Sequence, residues 1–386
     1  PMTTTGPNDD AANPQRNMRS GLASGFRIVS LGTLLSRILG LTRDMTLASV
    51  FGAGPILDAF TLSFRLPNMA RQLFGEGALT AAFLPIFVRE LRSDDPRAPR
   101  QLAAAMFCGL AAVLAAVVLV AEIGLLAALL WGDLSANLRL LLILVAIQTP
   151  YLLCICLAAQ LSAVLHSLRQ FVWPALLPVC LNLVWLLGIA VAAKLEVTPE
   201  SRIEAVAVSV VVGGVCQLAI AIWATARQGY PIRRDFGRAW SRVREVAVAM
   251  LPIVLGFAVS QLNVLADSLV AWAAANTQFG EFLPVPIHPG TATALFFGQR
   301  MYQFPLGIFG VALGTVLFPL LASHAQSGDQ LGLRRDLAHG LKLTIAIGVP
   351  ASAGLVVLAG PITTLLFRHG EFDAADARLT ATMVAI

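Results

Sequence analysis

Residues 102–130, 138–165 and 205–223 are apolar runs almost free of charge, each about as long as the roughly 20 residues a helix needs to cross a bilayer core. Core helices of water-soluble proteins are rarely so long and so apolar. Composition agrees: 57% of residues are hydrophobic and 13% charged, against about 45–50% and about 25% in a soluble domain. The deficit lies in charge. The chain is therefore read as an all-α polytopic membrane protein.

Nine full spans follow from the pattern, at about 25–51, 56–90, 101–131, 138–165, 171–193, 204–226, 246–275, 292–322 and 338–366, with a tenth starting near 374. The second, eighth and ninth contain Pro or Gly. Such breaks persist in a membrane only where protein or a watery cavity satisfies the freed backbone groups. With the N-terminus inside, the inner loops hold fourteen basic residues and the outer loops five, as the positive-inside rule favours. A faint repeat relates Ala78-Leu79-Thr80-Ala81-Ala82-Phe83-Leu84-Pro85 to Ala312-Leu313-Gly314-Thr315-Val316-Leu317-Phe318-Pro319, and Gly32…Ser36 to Gly256…Ser260. Two registers then agree with two pseudo-repeated six-helix halves and a substrate site at mid-membrane between them. The expected organisation is a disordered cytoplasmic segment 1–24, a first lobe 25–226, a linker 227–245 and a second lobe 246–386. The second lobe is expected to be incomplete, because the tenth apolar pattern breaks off at Ile386. In the linker, Ile232, Phe236, Trp240 and Val243 recur at spacings of three and four among arginines, the pattern of an amphipathic helix on the inner leaflet.

Several functions are excluded or disfavoured. The net charge of +5 sits in short loops, not on one face, which sets topology and does not suit nucleic acid. Five cysteines lie inside apolar runs without metal-ligand spacing and read as reduced packing residues. No secretory signal opens the chain. No Gly-x-x-x-x-Gly-Lys-Ser/Thr loop is present, so nucleotide hydrolysis is not expected. The five histidines fall in loops or at helix ends, which argues against a membrane enzyme.

Charge inside spans costs about 2.5–3.5 kcal/mol per side chain even on lenient scales. Here it is concentrated in three spans: Arg37, Arg43 and Asp44 in the first, Asp58, Arg65, Arg71 and Glu76 in the second, and Arg300 in the eighth. Glu122 is the exception. A spacing of seven residues aligns Arg37 with Asp44 and Asp58 with Arg65 on their helix faces. Internal salt bridges are the plain structural alternative, but five arginines outnumber three acids. The surplus suits an anion, and the planar guanidinium fork suits phosphate. A lipid-linked diphosphate would match both the arginines and the apolar walls.

Ser36-Arg37-Ile38-Leu39-Gly40-Leu41-Thr42-Arg43-Asp44 resembles the first-helix signature of the MurJ/MviN lipid II flippases. The resemblance continues through Phe51-Gly52-Ala53-Gly54, Asp58-Ala59-Phe60, Arg65-Leu66-Pro67-Asn68 and Phe74-Gly75-Glu76-Gly77-Ala78. It resumes at Ser260-Gln261, Arg300-Met301-Tyr302-Gln303-Phe304-Pro305-Leu306-Gly307 and Gly310-Val311-Ala312-Leu313-Gly314-Thr315, and reaches Gly360-Pro361 and Gly370-Glu371-Phe372. It implies a MOP-type two-lobe bundle, truncated in the second lobe, in the bacterial cytoplasmic membrane. The implied activity is flipping of lipid II from inner to outer leaflet by alternating access. On this resemblance Arg37, Arg43, Arg71 and Arg300 are the essential arginines, Asp44, Asp58 and Glu76 the functional acids, and Arg65 and Ser36 further substrate contacts. Asp267 matches a position that helps bind sodium in some members. No cofactor is required; sodium or proton coupling and the membrane potential are the candidate energy sources. Lipid II, membrane lipids and cell-wall synthesis proteins are the implied partners. Two departures are Gln299 in place of a common acid and a longer loop at 276–290. The rival readings are a MOP exporter of another polyprenyl-diphosphate glycan or of drugs, an enzyme acting on the same lipid, and a non-transporting scaffold. A drug-cation exporter would favour acids over arginines.

Overall fold

The computed structural model describes residues 14–73, 79–237, 239–277 and 287–385, and these are helical almost throughout. In chain order the helices are α1 (Pro14–Phe51), α2 (Pro55–Ala70), α3 (Leu79–Leu91), α4 (Ala98–Trp131), α5 (Ala136–Ser167), α6 (Val172–Ala192), α7 (Pro199–Arg227), α8 (Ala239–Asn276), α9 (Thr291–Pro305), α10 (Val311–Ser327), α11 (Gln330–Phe367) and α12 (Ala374–Ala385). Six of them, α4 to α8 and α11, are long and apolar enough to cross a membrane. The spans outside that set are α1, α2–α3 and α9–α10, the three that carry the in-span charges named above. α1 begins at Pro14, earlier than the expected start of the first span.

Local chemistry marks several boundaries. Thr198 caps α7 by accepting from Ser201 N–H, with Pro199 just inside the helix. Asp329 caps α11 by accepting from Gly332 N–H at 2.9 Å. That bond, with His324 beside it, holds the Asp329 carboxyl below the ordinary carboxylate range. The same imidazole reaches Asp336 at 3.0 Å and so closes the α10–α11 hairpin.

The second and eighth spans break in the same way. A π turn at 71–73 follows α2, and a π turn at Leu306–Gly310 separates α9 from α10. Proline then lies inside both downstream helices, Pro85 in α3 and Pro319 in α10. π turns commonly mark functional positions in helices. Both halves of the proposed repeat thus carry the same interruption.

α7 packs between α5 and α6 because two glycines let it approach. A methyl group on Gly214 would stand 2.4 Å from the Tyr151 ring, and one on Gly213 would stand 2.8 Å from Leu181. Close approach through small residues is the usual basis of helix association in lipid, where no hydrophobic force drives it. Phe60 and Phe64 of α2 meet Trp185 of α6 edge-on, and Phe64 stacks on Tyr151 of α5. A second aromatic nucleus joins Phe297 of α9, Phe367 of α11 and Phe372 before α12. All five cysteines are free thiols.

The linker departs from expectation. Residues 228–237 contain no helix, and the backbone turns through Gly229 and Gly237 at φ 84° and 46°. Helix resumes at Ala239 and runs unbroken into the seventh span as α8. Ile232 and Val243 turn toward protein, while Trp240 stays half exposed. Ile232 packs beside Leu161, Leu177 and Ala221, Val243 packs beside Phe83 and Phe87, and the Trp240 ring covers Gly109 of α4. Two positive-φ glycines and a ready protein surface explain why the periodicity produced no separate amphipathic helix.

Candidate functional site

Arg43 and Asp44, adjacent on α1, are both buried. The Arg43 Nε and Nη2 donate to Asp44 Oδ1 at 3.0 and 2.6 Å, and its Nη1 donates to Asn182 Oδ1 of α6 at 3.0 Å. Its guanidinium lies 4.0 Å over the Trp185 ring. Asn182 in turn donates to the Ser36 carbonyl at 3.1 Å. On the other side, Arg300 Nε of α9 stands 3.4 Å from Asp44 Oδ2. One carboxylate therefore joins two arginines from α1 and α9. Arg300 leans on the Phe296 ring at 5.1 Å and keeps 35% of its side chain exposed, whereas Asp44 keeps 4%.

The remaining arginines lie on α1, on α2 and in the π turn that follows it. Arg65 donates to Gln299 Oε1 at 2.9 Å and approaches the Phe296 ring. Arg71 donates to Asn68 Oδ1 at the edge of the π turn. The charge of Arg300 is felt by Arg65, and Arg43 and Arg71 both act on Arg300. Arg37 is exposed on α1 and its guanidinium lies against Gly307, in the π turn of the eighth span. Asp267 is exposed on α8 and acts on Arg65. Among the described residues this group holds five arginines against Asp44 and Asp267. Glu76 lies outside the described residues.

The pairing differs from the one that helix spacing predicts. Asp44 is paired with its sequence neighbour Arg43 and with Arg300 across the helix interface, not with Arg37. Asp58 does not reach Arg65. It is fully buried and accepts four hydrogen bonds, from Asn276 Nδ2 of α8 at 3.1 Å, Gly290 N–H at 2.8 Å, and Thr293 N–H and Oγ1, both at 2.7 Å. Gly290 caps α9 at φ 95°, and a methyl there would meet the Ala53 carbonyl at 2.7 Å. Asp58 thus sits at the positive end of α9, where unpaired backbone donors favour an anion. It ties α2 to α8 and α9 and stands apart from the arginine group. Seven-residue spacing could not reveal these pairings, because Asp44 meets its immediate neighbour and every other partner comes from another helix or its cap.

Asn182, Trp185, Phe296 and Gln299 are the residues that sequence reasoning left without a role in holding the arginines. Gln299 had a visible signal, since it replaces an acid beside Arg300 and here accepts one hydrogen bond from Arg65. Gln261 of α8 donates to Gln72 Oε1 in the first π turn at 2.7 Å. A cleft of about 510 Å³ opens at the far end of α3, lined by Arg89, Arg92 and Arg242 with Glu90. Arg242 pairs with Glu90 and Arg89 with Glu245, so its charge is largely neutralised within the protein. Among the described residues no group of three or more His, Cys, Asp or Glu side chains is placed to hold a metal ion.

Long charged spans broken at matching π turns, around an arginine group shared by both halves, describe a multi-pass helical membrane protein, and its fold is the one seen in MOP superfamily transporters. Solved structures agree: a lipid II flippase MurJ in an inward closed conformation aligns over 92% of this chain and 71% of its own, with TM-score 0.73 and 24% identity. An inward-facing multidrug resistance MATE transporter of the MOP superfamily aligns over 90% and 76%, with TM-score 0.66 and 13% identity. At those identities the likeness concerns the fold.

The chain belongs to the lipid II flippase MurJ family, whose model matches residues 47–386. A probable lipid II flippase MurJ of Vibrio cholerae is 32% identical over 94% of this chain and 67% of its own length. The lipid II flippase MurJ of Burkholderia cenocepacia is 32% identical over 92% and 67%. The family is one of transporters, not enzymes.

Proposed function

We propose that this protein flips lipid II across the bacterial cytoplasmic membrane, with its diphosphate held by Arg300 and the arginines around it. The observation that carries this reading is the shared carboxylate. Asp44 neutralises one charge while Arg43 and Arg300 bring two, so the group keeps a positive surplus, and Arg300 carries a guanidinium fork on a side chain that is 35% exposed. Such a fork binds phosphate oxygens in a bidentate way. Family membership supplies the lipid class, and the charge surplus favours a lipid diphosphate over a cationic drug.

The N-terminus is cytoplasmic in this reading, as the distribution of basic loop residues favours. The two halves rock about the arginine group and expose it to each side in turn. An anion leaving an inside-negative cell gains about 2.3 kcal/mol per charge per 100 mV, which makes the membrane potential a sufficient driving force. Sodium or protons are the candidate coupling ions for the return step, with Asp267 as a candidate sodium ligand. Cell-wall synthesis proteins that consume the flipped lipid are candidate partners.

The test is transport of lipid II by the full-length protein in proteoliposomes with an imposed potential. Flipping should accelerate when the destination side is made positive and slow when the potential is collapsed. A rate unchanged after both the potential and the ion gradients are removed would overturn the energetic account.

A further inference from the structure

We infer that Asn182 and Trp185 of α6 are positioning residues, and that Arg43 serves the diphosphate site as the mount for Arg300 without gripping substrate itself. The inference rests on the reading above and assigns its parts. The three nitrogens of the Arg43 guanidinium are all engaged: Nε and Nη2 by Asp44, Nη1 by Asn182. One face of the group is covered by the Trp185 ring at 4.0 Å, and its side chain is only 6% exposed. Three of its five N–H groups are spent, and burial leaves the other two little access to a phosphate. Its effect passes instead through Asp44, whose second oxygen faces Arg300 at 3.4 Å.

The α6 residues fix this arrangement from outside. Asn182 uses both ends of its amide, accepting from Arg43 and donating to the Ser36 carbonyl about two helical turns back along α1. It therefore fixes the rotation of Arg43 relative to α1. Trp185 lies one turn further along α6 and sits in the aromatic nucleus with Phe60 and Phe64, so the ring over Arg43 is itself held in place. A cation over a desolvated indole face is attracted by the ring quadrupole. With Arg43 locked, Asp44 has one direction left for its second oxygen, toward α9. A carboxylate held in one orientation orients the guanidinium it pairs with, as outer-shell groups orient the ligands of a metal.

The experiment uses the full-length protein and lipid II at varied concentration in proteoliposomes, with Asn182→Leu, Asn182→Asp, Arg300→Ala and the double variant Asn182→Leu/Arg300→Ala. Asn182→Leu removes the hydrogen bonds at similar volume and is expected to raise the apparent KM about tenfold, the worth of one charge-assisted hydrogen bond. Asn182→Asp keeps the acceptor for Arg43 but loses the donor to the Ser36 carbonyl, and is expected to restore only part of the affinity. Read as equilibrium binding of undecaprenyl diphosphate, Asn182→Leu is expected to change nothing further in the Arg300→Ala background, because its effect runs through Arg300. Thermal unfolding of each variant separates this from a folding defect. An additive effect of Asn182→Leu in the Arg300→Ala background would overturn the inference, as would an unchanged KM with a lowered melting temperature. Absence of lipid II transport by the wild type would instead overturn the function on which it rests.

Discussion

Arg300→Ala is expected to abolish rescue of cells depleted of their own flippase while leaving the protein in the membrane at normal abundance. The reason lies in how unequally the two arginines share Asp44. Arg300 makes one contact with it, at 3.4 Å, and keeps 35% of its side chain exposed. Removing Arg300 leaves Asp44 still paired with Arg43 at 2.6 Å, so no buried charge is stranded. What disappears is the open fork. Arg43→Ala is expected to fail differently. It takes the closer partner, at 2.6 Å, from a carboxylate only 2% exposed and leaves it Arg300 alone at 3.4 Å; removing one partner of a buried pair costs up to about 3–5 kcal/mol. Lost rescue should then come with lost abundance. Arg300→Lys keeps the charge without the bidentate geometry and is expected to rescue partially. Blotting for membrane protein alongside growth distinguishes these outcomes. Full rescue by Arg300→Ala would make the group structural.

Asp58→Ala is expected to have the largest effect on folding. Four donors converge on this carboxylate, and two are backbone N–H groups at the start of α9. Each buried donor left without an acceptor costs about 1–3 kcal/mol, a large part of the 5–15 kcal/mol by which a typical domain is stable. Asp58→Asn offers no full rescue. One oxygen can still accept from Thr293, but the new amide donors would face the Asn276 amide or the Gly290 N–H. Thermal unfolding in detergent and abundance in the membrane are the measurements. A melting temperature close to wild type for Asp58→Ala would show that α2 and α9 are held by packing alone.

Much of this architecture was legible in the sequence, and the reason is the bilayer. A solvent that refuses polar backbone forces long apolar helices, so the boundaries of α4 to α7 follow from hydropathy to within a few residues. The same cost made the charges in α1, α2 and α9 conspicuous before any geometry was known. Which charge meets which was not legible. Helix periodicity relates residues along one helix, whereas Asp44 meets Arg300 and Asp58 meets Thr293 only through the packing of separate helices. The uncharged partners were less visible still: Asn182 and Trp185 sit in an ordinary apolar span, and nothing in their spacing marks them. The linker shows the opposite error. Its spacing of three and four was real, but Gly229 and Gly237 broke the helix, and protein offered a nearer apolar surface than lipid.

The most direct test of the central claim is equilibrium binding of undecaprenyl diphosphate and undecaprenyl monophosphate to the purified full-length protein, wild type against Arg300→Ala. The account expects the diphosphate to bind the wild type more tightly than the monophosphate, and expects most of that preference to vanish in Arg300→Ala. Equal binding of both lipids by the wild type, or a preference that survives in Arg300→Ala, would contradict it.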